Sequence, residues 1–222
     1  MKQGRVWQIA ALGAAVTVSS LALSSLISEL WAQSLGESVF LNWLRNPDAD
    51  APPRNKRGDE FCIVGFPQIQ GNPSWRDRPT FVIQGNPRSL ALYHGDETTP
   101  IWTYPVNQET AVTYSGPPLA SGVEYTLRVE HAQFRTSNFE QRRFQLLSIE
   151  DRVAIALELA ALTAELRTAG DSADAIALAQ ADYFWQRGLE MDAWAEVVPL
   201  QATSAPVDEA LKTAYEELCE KE

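Results

Sequence analysis

The sequence predicts a β-sandwich of about seven strands, followed by an α-helical C-terminal region of three to four helices. Seven short segments alternate apolar and polar residues, and Gly, Pro, Asn and Asp fill most of the gaps between them, as in a two-sheet all-β fold. From Ser148 onward the spacing of apolar residues changes to about 3.6, the period of an amphipathic helix. The predicted strands cover residues 61–66, 80–84, 88–94, 100–106, 110–114, 123–130 and 139–147.

Alternation within these segments predicts which side chains face the core, because successive residues of a strand point to opposite faces of a sheet. In the fourth segment this places Ile101 and Thr103 inside and Trp102 on the opposite face. The other predicted inward residues are Phe81, Ile83, Leu90, Leu92, Val112, Tyr114, Tyr125, Leu127, Val129, Phe144 and Leu146.

A proline-bearing turn precedes the sixth predicted strand, and three of its residues form a recognisable corner. Leu119 is followed by Gly122, which can supply a positive φ, and then by Tyr125, where the alternation begins. This resembles the entry to strand F of immunoglobulin-like and fibronectin-III-like sandwiches, although Ser121 stands where that family usually has proline. The resemblance implies an immunoglobulin-like fold and a structural role for the three residues.

The helical region, residues 148–222, begins with a cap at Ser148 and a first helix that Gly170 ends. Residues 173–200 then have the apolar spacing of one tetratricopeptide hairpin. A single repeat cannot bury its own apolar face, so this hairpin must pack elsewhere. Phe184, Trp185 and Trp194 therefore either fill a core within the chain or bind a partner protein.

The N-terminal residues 1–32 have the pattern of a signal peptide. Lys2 and Arg5 precede an uncharged stretch, residues 6–28, and Ala32 offers a small residue for cleavage. The alternative is an uncleaved anchor, in which case residues 6–28 would make the only membrane contact. Either segment sends the rest of the chain out of the cytoplasm, to the periplasm or the cell exterior. Residues 33–60 are polar and rich in proline, and they predict a flexible spacer before the sandwich at 61–147, with room for one amphipathic turn around residues 39–44.

Cys62 and Cys219 are the two cysteines of the chain. In an oxidising compartment they could form a disulfide between the start of the sandwich and the last helix. The alternative is two unpaired thiols, since the sequence alone does not determine pairing. Two cysteines and two distant histidines are too few ligands to predict a metal site.

Composition and motifs point away from catalysis and from nucleic acid. The net charge of −11 would repel a phosphate backbone, so no nucleic-acid partner is expected. His94 and His131 lack the nucleophile and orienting group that a catalytic histidine needs. The paired acids at 96–97 and 216–217 are typical of solvated surfaces. We therefore expect no enzyme activity and no cofactor.

The whole arrangement resembles an uncharacterised exported family of cyanobacteria. In that family a signal peptide and a proline-rich spacer lead to a cysteine, and the sandwich contains an Arg-Pro-Thr-Phe strand start and a Pro-Pro-Leu turn. The matching runs here are at 78–81 and 117–119, within a similarity that covers about 51–200. The resemblance implies architecture and export, and it implies no activity.

Together these features predict an exported, non-enzymatic interaction module of the cell envelope, whose partner is another envelope or surface protein. Phe184, Trp185 and Trp194 are the candidate partner-binding residues. The alternative function is a glycan-binding or cell-wall-binding module, because the faces of Trp75 and Trp102 could stack on sugars if they were exposed.

Overall fold

The computed structural model describes residues 38–47, 61–66, 71–131 and 139–220. The predicted signal peptide or anchor, residues 1–32, lies outside the described residues, as do the parts 33–37 and 48–60 of the predicted spacer.

Helix α1, Val39–Arg45, lies inside that predicted spacer and is part of the core. Its cap is Ser38, whose hydroxyl accepts the backbone N–H of Leu41 at 3.1 Å and donates to Asp182 at 2.9 Å. Phe40, Leu41 and Leu44 are completely buried. The amphipathic turn is therefore a helix, and the expectation of a flexible spacer is wrong for these residues. Their apolar face packs against helices that follow much later in the chain, a contact that local composition does not reveal.

Within the described residues, eight strands form two sheets. The strands are β1 (Phe61–Val64), β2 (Asn72–Ser74), β3 (Thr80–Gly85), β4 (Ser89–His94), β5 (Trp102–Pro105), β6 (Ala111–Thr113), β7 (Glu124–Glu130) and β8 (Phe139–Leu146). The three-stranded sheet has the order β1-β3-β6, and the five-stranded sheet has the order β2-β8-β7-β4-β5. Strand β2 runs parallel to β8, and the other pairs are antiparallel. Thus two sheets precede a set of helices, as predicted, with β2 as an additional short strand.

The three-stranded sheet is the middle layer of the protein. One of its faces contributes Phe61, Ile63 and Phe81 to a core shared with the five-stranded sheet. Its other face contributes Cys62 and Val82 to a second core, shared with the helices. Because both faces are covered, all four residues of β1 are buried and its sequence does not alternate in polarity.

The predicted orientation of β5 is wrong. Ile101 is 42% exposed and Thr103 is exposed, whereas Trp102 and Tyr104 are half-buried against the core between the sheets. Trp102 lies 5.4 Å from Tyr114 and 6.3 Å from Phe81, measured between ring centroids. The larger aromatic pair therefore occupies the inner face of this edge strand, which alternation alone cannot distinguish from the outer one.

The C-terminal region consists of α2 (Ile149–Ala169), α3 (Ala173–Gln186), α4 (Glu190–Val197), a 3-10 turn (Val198–Ala202), α5 (Ala205–Tyr215) and a final π-helical turn (Glu216–Glu220). Ser148 and Ser172 cap α2 and α3 through their hydroxyls, and Gly170 ends α2 with a φ of 88°. Helices α3 and α4 form the predicted hairpin. Among the described residues, no helix has both the length and the apolar composition to cross a membrane.

Cys62 and Cys219 are joined by a disulfide, with their Cα atoms 5.6 Å apart. The bond connects β1 to the final helical turn across a sequence separation of 157 residues. The sequence left open whether these two cysteines form a disulfide or remain unpaired thiols, and the structure has the disulfide.

Candidate functional site

The aromatic residues proposed for partner binding lie in the helical core. Trp194 and Phe184 have no exposed surface. Trp185 is half-buried beneath α1, with its ring centroid 4.3 Å from that of Trp43 and 4.9 Å from that of Phe40. The prediction that they form a partner surface is therefore wrong for Phe184 and Trp194, and the intrachain alternative applies. The physical reason is α1, which covers the hairpin face that the sequence left without a neighbour.

The two tryptophans proposed for glycan binding contact different cores. Trp102 belongs to the sheet edge, where it stacks on Tyr104 at 5.7 Å and donates from Nε1 to Ser115 at 3.1 Å. Trp75 packs against Phe184 at 5.5 Å and donates from Nε1 to the backbone carbonyl of Arg152 at 3.0 Å. The two rings therefore form no common platform, and Trp75 borders an open groove.

The three residues of the predicted corner have structural contacts. The Tyr125 hydroxyl accepts the backbone N–H of Ala120 at 2.8 Å, Leu119 is buried, and Gly122 has a φ of 75°. Ser121 also has a partner, because its hydroxyl accepts a hydrogen bond from Arg152 at 2.9 Å. The corner thus serves the fold and also receives the first turns of α2.

Arg152 attaches α2 to the sheets through three contacts. Its guanidinium donates to the Trp75 carbonyl at 2.9 Å, to Ser121, and to Asp77 at 2.9 Å. Because the Trp75 indole donates back to the Arg152 carbonyl, the two residues hold each other in both directions. This fixes the start of α2 while leaving most of its length exposed.

Asp192 attaches α4 to the loop between β2 and β3. Its carboxylate is 1% exposed and accepts the backbone N–H groups of Trp75 at 2.8 Å and Arg76 at 3.2 Å. Arg76 Nε lies 3.6 Å from the same carboxylate, and the other end of that guanidinium pairs with Glu196. Burial raises the pKa of Asp192 to about 6, against the opposing effect of the two N–H groups and Arg76. Burial also raises the pKa of Glu196.

An open groove of about 510 Å³ runs between α2 and the elements that Asp192 holds together. Helix α2 lines it with the apolar residues Ala156, Leu159, Ala160 and Ala164. The polar lining residues are Arg76, Thr163, Arg167, Gln180 and Glu196, and Trp75 also lines the groove. Apolar walls combined with a few hydrogen-bonding groups are typical of a binding groove.

The outer face of α2 continues this apolar surface. Of its 21 residues, only Ile155 and Leu159 are buried. By contrast, Ile149 is 55% exposed, Val153 is 53% exposed and Leu157 is 68% exposed. They are three of the six large apolar side chains that are exposed in the described part of the chain. Leu162 and Leu166 are half-buried on the same side as Ile155 and Leu159, so α2 has an inner apolar face as well as this exposed one.

The histidines lie away from this surface. His94 is exposed, with Nδ1 3.4 Å from Glu97, and His131 is buried with its ring 4.6 Å from that of Phe61. The residues that the structure describes contain no group of three or more His, Cys, Asp or Glu side chains placed to hold a metal ion.

Sequence reasoning missed Arg152, Arg76 and Asp192. A signal for two of them was present. Arg152 precedes Ile155 and Leu159 on one helical face, and Asp192 stands among Met191, Ala193 and Trp194, so each places a charge within an apolar pattern. A charge in such a position needs a buried partner, but the sequence does not say which one.

No protein-family model matches the chain, and no curated protein matches it significantly. The resemblance to an exported cyanobacterial family therefore stays a prediction.

Proposed function

We propose that the protein is a non-enzymatic interaction module that acts outside the cytoplasm and binds a partner protein through the outer face of α2. The observation that carries this proposal is the exposure of Ile149, Val153 and Leu157 on one long helix. Large apolar side chains clustered on a surface mark contact sites, because water disfavours such exposure.

The size of the surface favours a protein partner. A helix of 21 residues is about 30 Å long, which suits a second helix or strand better than a small molecule. Arg152 and the buried contacts of Ile155 and Leu159 hold α2 in place. The helix is thus fixed on one side and available on the other, as helix-in-groove recognition requires.

We further propose that the two packed sheets are an immunoglobulin-like β-sandwich that serves as the scaffold. Two features support this assignment. The strand orders β1-β3-β6 and β8-β7-β4 give each strand the neighbours that such a sandwich uses. The Tyr125 hydroxyl also reaches the backbone upstream of its own strand, as a tyrosine corner does.

Export is proposed from residues 1–32, and the disulfide between Cys62 and Cys219 is consistent with it, because such bonds persist in oxidising compartments. The N-terminus of protein isolated from its native host should begin near Gln33. A mature product that retains Met1 and remains in the membrane would contradict cleavage.

The interaction proposal is tested by photocrosslinking in cells that express the full chain. A photoreactive residue at Leu157 should give a discrete protein adduct. The same residue at Ile101, an exposed apolar position on the sandwich, should give none. Equal adduct formation at both positions, or none at either, would refute a partner surface on α2.

The second candidate function is glycan binding, because Trp75 borders a groove that also contains Arg167 and Gln180. Both groups could donate hydrogen bonds to sugar hydroxyls. If this function is correct, the protein pellets with cell-wall glycan, and Arg167→Ala reduces pelleting whereas the exposed control Arg88→Ala does not. Trp102→Ala tests the other candidate glycan-binding residue. If this variant pellets with cell-wall glycan as well as wild-type protein does, Trp102 does not bind the glycan.

A further inference from the structure

Six residues form one continuous stripe along the outer face of α2. They are Glu150, Val153, Leu157, Ala160, Ala164 and Arg167, and all six are exposed. Their spacing alternates between three and four residues, which keeps a stripe on one side of a helix that packs against another helix. We call this set the α2 stripe.

Two copies of the α2 stripe are complementary when they lie antiparallel to each other. Its large apolar residues, Val153 and Leu157, lie in the N-terminal half, and its alanines lie in the C-terminal half. The two ends carry opposite charges, with Glu150 in the first turn and Arg167 in the last.

We propose that the partner of this surface is a second copy of the chain, whose α2 packs against the first in antiparallel orientation. In this register Leu157 of one copy lies over Ala160 of the other, Val153 lies over Ala164, and Glu150 pairs with Arg167. The proposal rests on the proposed function, since it names the protein that the α2 face binds.

Packing and charge both support this register. Each alanine leaves room for the larger side chain opposite it, so the helices approach closely and no cavity remains between them. The two-fold symmetry of such a dimer makes every contact occur twice, including the ion pair at each end. A parallel pair would instead place Glu150 against Glu150 and Arg167 against Arg167.

The ion pair cannot form within one chain. Glu150 and Arg167 are separated by about five helical turns, or about 25 Å along the same helix. Any energetic coupling between the two side chains therefore reports a contact between two molecules.

The test is a charge exchange, measured by analytical ultracentrifugation of protein purified from cells that express the full chain. Wild-type protein should sediment as a dimer. Glu150→Arg and Arg167→Glu should each raise the dissociation constant at least tenfold, because each variant opposes like charges twice. An equimolar mixture of the two variants should dimerise again, as should the double variant, since both arrangements restore opposite charges.

Leu157→Asp provides the apolar test, and Ile101→Asp is its control, because it introduces the same charge at an exposed apolar position away from α2. The first should abolish the dimer, and the second should leave it intact. Wild-type protein that stays monomeric at 100 μM, or a mixture that shows no recovery, would overturn the inference. If a Leu157 photocrosslink still joined a different protein in either case, the proposed function would stand and only the identity of the partner would be wrong.

Discussion

Replacing Asp192 by asparagine tests whether burial or pairing dominates the contact between α4 and the β2–β3 loop. The folded pKa of about 6 lies above the ordinary aspartate value of 3.8. Between these pH values the folded protein holds a proton that the unfolded chain has released. The stability that this group contributes is therefore complete below about pH 4 and is lost as the pH rises through about 6.

The magnitude follows from the difference between the two pKa values. One pH unit corresponds to about 1.4 kcal/mol, so the titration of Asp192 changes the free energy of unfolding by up to about 3 kcal/mol between pH 4 and pH 7. The amide introduced by Asp192→Asn cannot titrate. Relative to the variant, wild-type protein should therefore lose about 3 kcal/mol over this range, or about 6–12 °C in Tm for a chain of this size.

The assay is thermal and urea unfolding of both proteins at several pH values from 4 to 7. Glu196 is present in both, so much of its own titration cancels in the comparison. Asp208→Asn is the opposite control, because the Lys212 ammonium bonded to Asp208 lowers the pKa of that carboxyl. Wild-type protein should lose stability relative to this control as the pH falls. A constant difference between wild type and Asp192→Asn would show that Arg76 and the two N–H donors balance burial. A difference that grows in favour of wild type as the pH rises would show that they outweigh it.

Four further substitutions test the fold by urea unfolding. Tyr125→Phe should cost about 1 kcal/mol, since the Ala120 N–H loses its acceptor, and a neutral result would remove the corner assignment. Cys219→Ser should lower the free energy of unfolding by up to about 5 kcal/mol, because the variant lacks the disulfide that closes a long loop. A variant as stable as oxidised wild-type protein would contradict a structural role for this bond. Gly65→Ala should cost more than Gly71→Ala. Both glycines have positive φ, but a Cβ at position 65 would lie 3.2 Å from Trp194, whereas at 71 nothing lies within 4 Å. Equal losses for the two alanine variants would show that the close approach of a Cβ at position 65 to Trp194 and Met191 costs nothing.

Local patterns were enough to predict the elements whose structure depends on neighbouring residues. The cap at Ser148 and the stop at Gly170 involve hydrogen bonds within a few residues, so the boundaries of α2 followed from sequence. Tyr125 belongs to the same class, because its hydroxyl bonds five residues upstream.

The elements that sequence reasoning misplaced depend on distant contacts. Helix α1 resembles part of a polar spacer until Asp182, more than 140 residues later, accepts from the Ser38 hydroxyl and the Phe40 N–H. Trp102 and Ile101 are equally plausible inner residues of β5 until Tyr114 and Phe81 decide between them. Such choices are made by tertiary packing, which a local pattern does not contain.

The burial of the hairpin changes where a partner can bind. Phe184 and Trp194 were candidates because one helical hairpin cannot cover its own apolar face, and α1 together with α5 provides that cover. Helix α2 has no comparable cover on its outer side within the described part of the chain, since Val153 and Leu157 remain more than half exposed. An apolar helix face without a neighbour still indicates a binding surface. In this protein that face belongs to α2 and not to the α3–α4 hairpin. A neighbour there must also match the charges at the two ends of the α2 stripe, and an antiparallel second copy of α2 meets both requirements.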